Sequence, residues 1–290
     1  MIPIASPVYY LGDWAGNVTD DYGVDWVVQT EDGWSSSPPI KPTQTDKSQG
    51  DGAWQGPGFY GARVINLKGT AIAGDRLSML AAKRRIKAAI GARALAKLTV
   101  AEADLTLTSQ VRLSDQIDIS DKGARGFVWS LTVVAADPRR YSADSAQPST
   151  GLPVVGAVGR TYNRTYPYSY PIPAGGTGSV FFNNLGDYDQ TPAVITIWGP
   201  VINPWIAHVQ TGRTLSFGIT VLEGQRLVVD LLARTVMLNG TASRASAVTP
   251  GSAWFMLTKG LNEVQFRGDA GASGTGAVPV MSMTAASAWT

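Results

Sequence analysis

The stretch that decides the fold is residues 61–93, with the sequence GARVINLKGTAIAGDRLSMLAAKRRIKAAIGAR. Its first part alternates apolar and polar residues and predicts a β-strand that is interrupted at Gly69. Its second part predicts one α-helix over about residues 75–91, with Asp75 as N-cap and Gly91 as a left-handed C-terminal cap. Since strand patterns dominate elsewhere, we expect this helix to pack across a sheet and to organise the N-terminal domain.

The predicted helix has an apolar face and a basic one. Its apolar face recurs at helical spacing and consists of Met79, Ala82, Ile86, Ala89 and Ile90. Beside that face lie three cations, which we call the basic stripe: Arg76, Lys83 and Lys87. Such a stripe is ordinarily a solvated surface. The alternative is that it faces a partner or the anionic content of a channel.

Composition limits the class of protein. A length of 290 residues favours two domains, and 32 glycines with 17 prolines favour short strands joined by turns. The net charge of +2 does not indicate a nucleic-acid-binding protein. Because cysteine is absent, the chain has no disulfide framework, no thiolate metal site and no cysteine nucleophile. No run is apolar and long enough to predict a membrane span.

No residue pattern indicates catalysis. His208 is the only histidine, and its strand-like surroundings predict an ordinary sheet residue. Asp187 and Asp189 could ligate calcium, but they lack the dense carboxylate loop of such sites, and a turn explains them equally well. Paired carboxylates for glycoside hydrolysis stay open, because their separation cannot be read from sequence. We therefore predict no enzyme, no catalytic residues, no cofactor and no metal site.

The order of patterns predicts a mainly β protein with two domains. Residues 1–141 form an N-terminal β domain with the one helix, and residues 142–176 form a connector rich in Pro, Tyr and Gly. Residues 177–290 contain many short strands separated by turn signals, which is typical of a β-sandwich. Residues 35–58 predict a long loop, of a length that is usually functional or bound to a partner.

The nine tryptophans favour either sugar stacking or burial in cores and interfaces. Trp129 and Trp198 alternate with apolar neighbours, so we expect both in cores. Trp205 follows Asn203 and Pro204 near a loop and is the better candidate for a surface aromatic.

Several pieces of the chain, in order, resemble the siphovirus distal tail proteins, which are phage minor tail proteins also called siphovirus-type tail components. The N-terminal pieces are residues 61–65, 67–69, the helix, and 136–141. The C-terminal pieces are residues 183–186, Pro192 with 195–199, 202–204, 227–230, 234–236, 239–240, Trp254 and 259–262. The resemblance spans residues 60–268 and does not explain residues 1–60 or the chain after residue 270.

The resemblance implies a structural protein of the virion, located at the phage tail tip after synthesis in the host cytoplasm. It implies an N-terminal β-sandwich-like domain that forms a homo-hexameric ring, and a C-terminal β-sandwich of galectin-like or carbohydrate-binding-module type. Such a ring, also called a baseplate hub, joins the tail tube protein to tail-tip and tail-associated proteins. DNA would pass through it without specific binding, and the basic stripe would line or border that channel.

Two other functions stay open. The first is a carbohydrate-binding adhesin, in which the C-terminal sandwich contacts a host glycan directly. The second is an enzyme that degrades the cell wall. No partner in a membrane is expected in any of these cases.

Overall fold

A computed structural model describes residues 6–153 and 177–290, which form two compact units. The N-terminal unit comprises the described residues up to Ala143 together with Trp289 and Thr290, and the C-terminal unit spans Asp144 to Ala288. The described chain is mainly β and contains one α-helix, which confirms the predicted fold class. Most of the predicted connector, from residue 154 to 176, lies outside the described residues.

The N-terminal unit is built on an antiparallel sheet whose main path runs β2-β1-β10-β11-β13-β9-β4-β3. Strand β12 pairs with β13, strand β14 pairs with β11, and β5 to β8 pair only with one another. The elements are β1 (Val8–Leu11), β2 (Trp14–Gly16), β3 (Val18–Thr19), β4 (Asp25–Asp32), β5 (Ile40–Lys41), β6 (Gln44–Asp46), β7 (Ala53–Gln55), β8 (Phe59–Tyr60), β9 (Arg63–Ile72), α1 (Arg76–Ala88), β10 (Ala96–Ala101), β11 (Thr106–Leu113), β12 (Asp118–Lys122), β13 (Gly126–Ala135) and β14 (Arg140–Ser142).

Strands β9 and β13 form the longest pairing of this sheet, from Gly126 opposite Ile72 to Ala135 opposite Arg63. The predicted interruption at Gly69 is wrong, because β9 runs through it without a break. A Cβ at Gly69 would lie 2.0 Å from the Val27 carbonyl oxygen and 2.8 Å from the Trp129 ring. Glycine is needed here for the close approach of a neighbouring strand and a buried ring, and it does not end the strand.

Four aromatic rings fill the centre of the N-terminal core. Trp14 lies edge-to-face against Trp26 and Trp129, with ring centroids 5.8 and 5.1 Å apart, and Phe127 meets Trp26 at 5.7 Å. Trp129 is buried, as predicted. Edge-to-face pairs add about 0.5–1.5 kcal/mol each beyond the burial of their area. Trp289, from the far end of the chain, also packs against this core.

Helix α1 packs on the sheet through Met79, Ala82 and Ile86, which are fully buried as predicted. Asp75 is the N-cap, since its carboxylate accepts a hydrogen bond from the Ser78 amide at 2.8 Å. The predicted cap at Gly91 is wrong: the helix ends at Ala88, with Ala89 as the capping residue in right-handed conformation. No left-handed residue is therefore used to end the helix.

The C-terminal unit is a β-sandwich of two sheets, as predicted. One sheet has the order β15-β27-β18-β22-β23-β24, and the other has β16-β26-β19-β20 with β21 also paired to β19. The elements are β15 (Ser149–Gly151), β16 (Ser179–Asn184), β17 (Gln190–Thr191), β18 (Ala193–Trp198), β19 (Val201–His208), β20 (Arg213–Ser216), β21 (Thr220–Val221), β22 (Arg226–Asp230), β23 (Thr235–Leu238), β24 (Ala242–Ser243), a 3-10 turn (Ala245–Ala247), β25 (Leu257–Thr258), β26 (Gly260–Ala270) and β27 (Val280–Ala285). The last strand, β28 (Ala288–Trp289), pairs with β14 in the N-terminal sheet.

A cluster of buried, hydrogen-bonded polar groups around Asn262 and His208 lies at one end of the sandwich. The Asn262 amide oxygen accepts from the Thr258 backbone amide at 2.7 Å, while its nitrogen donates to the Gly260 carbonyl at 2.7 Å. These backbone partners fix the amide orientation, so Nε2 of His208, 2.9 Å from the same oxygen, must be the donor. The other ring nitrogen lies 2.9 Å from the Thr211 hydroxyl. Burial lowers the pKa of His208, which is held as a neutral donor and acceptor.

A buried arginine joins distant parts of the N-terminal unit. The side chain of Arg63 is 1% exposed. Its Nη1 donates to the carbonyl oxygens of Gly33, Trp34 and Ser36 at 2.7, 2.9 and 2.5 Å, and its Nε donates to that of Pro138 at 3.0 Å. One guanidinium thereby donates hydrogen bonds to carbonyl groups on two loops that are remote in sequence.

We expect Arg63→Met to lower the free energy of unfolding of the N-terminal unit by about 2–4 kcal/mol, because buried carbonyls lose their donor. Urea unfolding followed by tryptophan fluorescence measures this change. Arg112→Met is the matched control, since Arg112 is exposed on β11. Equal stability of the two variants would contradict the role of Arg63.

We expect the C-terminal unit to lose stability as the pH falls below about 6.5, the ordinary pKa of histidine in the unfolded chain. The folded pKa of His208 is lowered, so the unfolded state binds the proton first and stability is greatest above that pH. The slope is at most about 1.4 kcal/mol per pH unit. Calorimetry between pH 7 and pH 5 should show a steeper loss for the native chain than for His208→Gln. Parallel curves would disprove this linkage.

Candidate interaction surfaces

Residues 39–60 form a β-hairpin that we call the arm. Strand β5 pairs with β8, and farther out β6 pairs with β7. Between these pairs the Gly56 amide donates to the Thr43 carbonyl at 2.7 Å, so the two chains stay together along their length. The predicted long loop is therefore wrong. At about 3.3 Å per residue, a hairpin of this length reaches roughly 30 Å.

The base of the arm is held rigidly. Trp34 is buried, and its backbone amide donates to the Glu31 carboxylate at 2.6 Å. The guanidinium of Arg63 holds the carbonyls on the same turn. Gly33 has φ +88°, and a Cβ there would lie 1.9 Å from the Val64 carbonyl oxygen, so only glycine fits. These contacts fix the direction in which the arm leaves the sheet.

The arm itself has no core. Every residue from 39 to 60 is exposed, including Ile40 at 66%, Trp54 at 69% and Phe59 at 61%. A two-stranded hairpin is at best marginally stable alone, and both of its edges present unpaired backbone groups. Exposed apolar residues gathered on such a ribbon mark a surface that meets a partner.

One carboxylate interacts with two of the three cations of the basic stripe. Lys83 donates to Asp121 on β12, and Arg76 lies 3.6 Å from the same carboxylate. The hydrogen bond from Lys83 is the largest cause that lowers the pKa of Asp121. Lys87 is exposed and has no acidic partner among the residues that the structure describes. The structure thus brings Arg76 and Lys83 together and leaves Lys87 as the cation without a counter-charge.

Trp205 lies on the outward side of β19, directly opposite Arg267 on β26 and Ser216 on β20. It is half-buried. Trp198, which we expected in the core, is 40% exposed at the end of β18, and the Arg226 guanidinium lies 5.3 Å from its ring centroid. Ile195 and Ile197 occupy the inward positions of that strand, so Trp198 points out.

Polar side chains line the outward face of β26 and the adjacent start of β16, and we call them the polar row. Its members are Ser179, Glu263, Gln265 and Arg267. These four residues were not predicted from the sequence. The alternation of β26 could have indicated them, because the intervening residues Asn262, Val264 and Phe266 are buried and leave the other residues on the outward face.

Among residues 6–153 and 177–290, no group of three or more histidine, cysteine, aspartate or glutamate side chains is placed to hold a metal ion. His208 is hydrogen-bonded to Thr211 and Asn262 inside the sandwich. In the described part of the chain, the helix is too short to cross a membrane.

The comparisons with known proteins agree with this fold. A family model for the C-terminal domain of siphovirus-type tail components matches residues 185–277. The Dit protein of phage SPP1, described as a paradigm of the hub adsorption apparatus in phages that infect Gram-positive bacteria, is similar with a TM-score of 0.64. That similarity has 12% sequence identity and covers 96% of this chain and 98% of the other.

Two structures of the phage p2 baseplate in its activated conformation, with calcium and with strontium, give TM-scores of 0.49 and 0.50. In both, identity is 10%, and the similarity covers 97% of this chain and 98% of the other. Among curated proteins, none matches the chain. Residues 185–277 are therefore similar to the C-terminal domain of siphovirus-type tail components, and the chain has the fold of the SPP1 Dit protein over nearly all of its length.

Proposed function

We propose that the chain is the hub of a phage tail tip and forms a homo-oligomeric ring, a hexamer, through its N-terminal unit. The ring joins the tail tube protein to tail-tip and tail-associated proteins and so to the host-recognition apparatus. Its role is structural, without catalysis. The family of the C-terminal domain and the fold of the whole chain support the place in the tail.

The observation that carries the ring is the arm. It has a fixed base, and all its residues are exposed, including the apolar side chains Ile40, Trp54 and Phe59, so a contact that covers them comes from another chain. In a ring of identical chains, the neighbouring copy provides the contact that covers the arm. We infer that the arm meets a different surface on the next copy, which makes the contact head-to-tail, and head-to-tail contacts that close give rings.

We expect deletion of residues 42–57 to abolish the ring, because this removes β6, β7 and Trp54 while leaving the fixed base in place. Light scattering should give about six times 30.7 kDa for the native chain and one copy for the deletion variant. Circular dichroism should show that the variant keeps its β content.

Substitution provides the matched control for this experiment. Trp54→Ser with Phe59→Ser should weaken assembly, whereas Val278→Ser, at a residue 62% exposed in the C-terminal unit, should not. Rings that form normally without the arm would exclude it as the contact. A dimer would indicate reciprocal exchange of arms in place of a ring. A native chain that stays monomeric beside its tail partners would overturn the ring altogether.

We further propose that Lys87 borders the channel through which DNA passes. Lys87→Glu should leave rings intact and change the rate of DNA ejection from assembled phage, because DNA is a dense polyanion and nearby charges act over about 8 Å at physiological salt. Lys259→Glu, on an exposed turn of the C-terminal unit, is the control. Failure of rings to form would place Lys87 in the interface between copies. Normal rings with normal ejection would make it plain surface.

A further inference from the structure

We propose that the free edge of β16 binds an extended segment of another protein chain, which adds to the sheet as one more strand and places a basic side chain beside Phe181. This inference goes beyond the ring and does not rest on it, because it concerns one edge of one sheet in the C-terminal unit.

Strand β16 is the last strand on its side of the sheet, since it pairs only with β26. The Phe266 amide donates to the Gly178 carbonyl at 2.7 Å, and opposed residues in an antiparallel ladder alternate between hydrogen-bonded and non-hydrogen-bonded pairs. Along β16 this alternation turns the backbone groups of every second residue, from 178 to 184, toward β26. The backbone groups of Phe181 and Asn183 therefore point away from β26, along the free edge.

Two amides and two carbonyls are available on this edge. Those of Phe181 and Asn183 have no hydrogen-bond partner among residues 6–153 and 177–290. At the start of the strand, the Thr177 hydroxyl lies 3.3 Å from both the amide nitrogen and the carbonyl oxygen of Ser179, so that position of the edge is occupied. The two free residues are the ones that a further strand would pair with.

The opposite edge of the same sheet is covered by the chain itself. On β20, the carbonyls of Thr214 and Ser216 accept hydrogen bonds from the amides of Ala253 and Thr249, at 2.8 and 3.0 Å. Other edges are protected by charged side chains, proline or a bulge. Strand β16 has the sequence SVFFNN and pairs with β26 without a shift in register, so it has none of these. Within the described part of the chain, β16 is open to the addition of a strand.

The side chains beside the edge indicate what the added segment carries. Phe181 is 54% exposed and lies directly opposite Glu263. The hydrogen bonds from Gln265 and then from Ser179 lower the pKa of Glu263, so its carboxylate is ionised at neutral pH. A residue of the added strand opposite Phe181 would lie about 10 Å from Glu263, which is two strand spacings. A lysine or arginine there packs its stem on the Phe181 ring and brings its charge toward the carboxylate.

The composition of the chain that leads into β16 favours a partner from another chain. Residues 167–176 include Pro167, Pro171 and Pro173, and proline has no amide to donate to a ladder. We therefore assign the edge to a separate polypeptide that has an extended, basic segment.

The test presents the full chain with a random library of peptides of about ten residues, the length of a long strand. Enriched peptides are then synthesised and measured singly. We expect them to lack proline at the centre, to be rich in β-branched residues and to carry lysine or arginine. Glu263→Gln should weaken the binding of these basic peptides.

Proline substitution tests the edge directly. Affinity should fall at least tenfold for Asn183→Pro, which removes one edge amide and should fold, because proline is tolerated where an edge amide faces solvent. Asn183→Ser is the matched control, since it changes the same side chain and keeps the amide, and it should bind as the native chain does.

Hydrogen exchange at Phe181 and Asn183 separates the possible occupants. Both amides should exchange fast in the free chain and slowly with a peptide bound. Slow exchange in the free chain at every concentration would mean that the chain covers its own edge, and slow exchange that is lost on dilution would mean that a second copy covers it. Either result would overturn the proposal.

The proposal is also overturned if no peptide is enriched, if only acidic peptides are enriched, or if Asn183→Pro binds as the native chain does. Loss of β content by Asn183→Pro in circular dichroism would show that the fold needs this amide and would overturn it too. Light scattering should show native assembly of Asn183→Pro, which keeps this site separate from the ring. Loss of assembly would make the edge an interface between copies instead.

Discussion

The N-terminal unit depends on one buried guanidinium. Arg63 enters the interior from the first position of β9 and donates to carbonyls on two loops, at residues 33–36 and at Pro138. A buried charge is costly unless its hydrogen bonds are satisfied, and a buried carbonyl is costly without a donor, so each side requires the other. The loop at residues 33–36 is also the base of the arm. The orientation of the exposed arm is therefore set by a group in the protein interior.

The two candidate surfaces achieve order by different means. The arm is fixed at its base and has few contacts of its own beyond backbone hydrogen bonds, which suits a segment that gains its stability in a larger assembly. The polar row lies on a complete sandwich, and its side chains hold one another in position. The first arrangement favours a large contact with another protein chain. The second arrangement is already ordered by hydrogen bonds within its own chain.

The sequence predicted elements with one face in the core and missed those without. The helix and β13 were found because burial imposes a period of 3.6 or 2 residues on their apolar positions. The arm carries no such period, because neither of its faces is buried and its turns are rich in proline and glycine. Gly69 was misinterpreted since its requirement comes from Val27 and Trp129, which are remote in sequence. The pairing of Lys83 with Asp121 joins residues 38 positions apart and leaves no local signal.

Trp289 and Thr290 count with the N-terminal unit although the whole C-terminal unit precedes them in the chain. Trp289 packs against the N-terminal core, and Arg140 donates to the Thr290 carbonyl. During translation, the ribosome therefore releases these two residues only after the entire sandwich has been made. A chain interrupted within the sandwich lacks that part of the N-terminal core. The N-terminal core is therefore completed by residues that lie beyond the whole C-terminal unit in the chain.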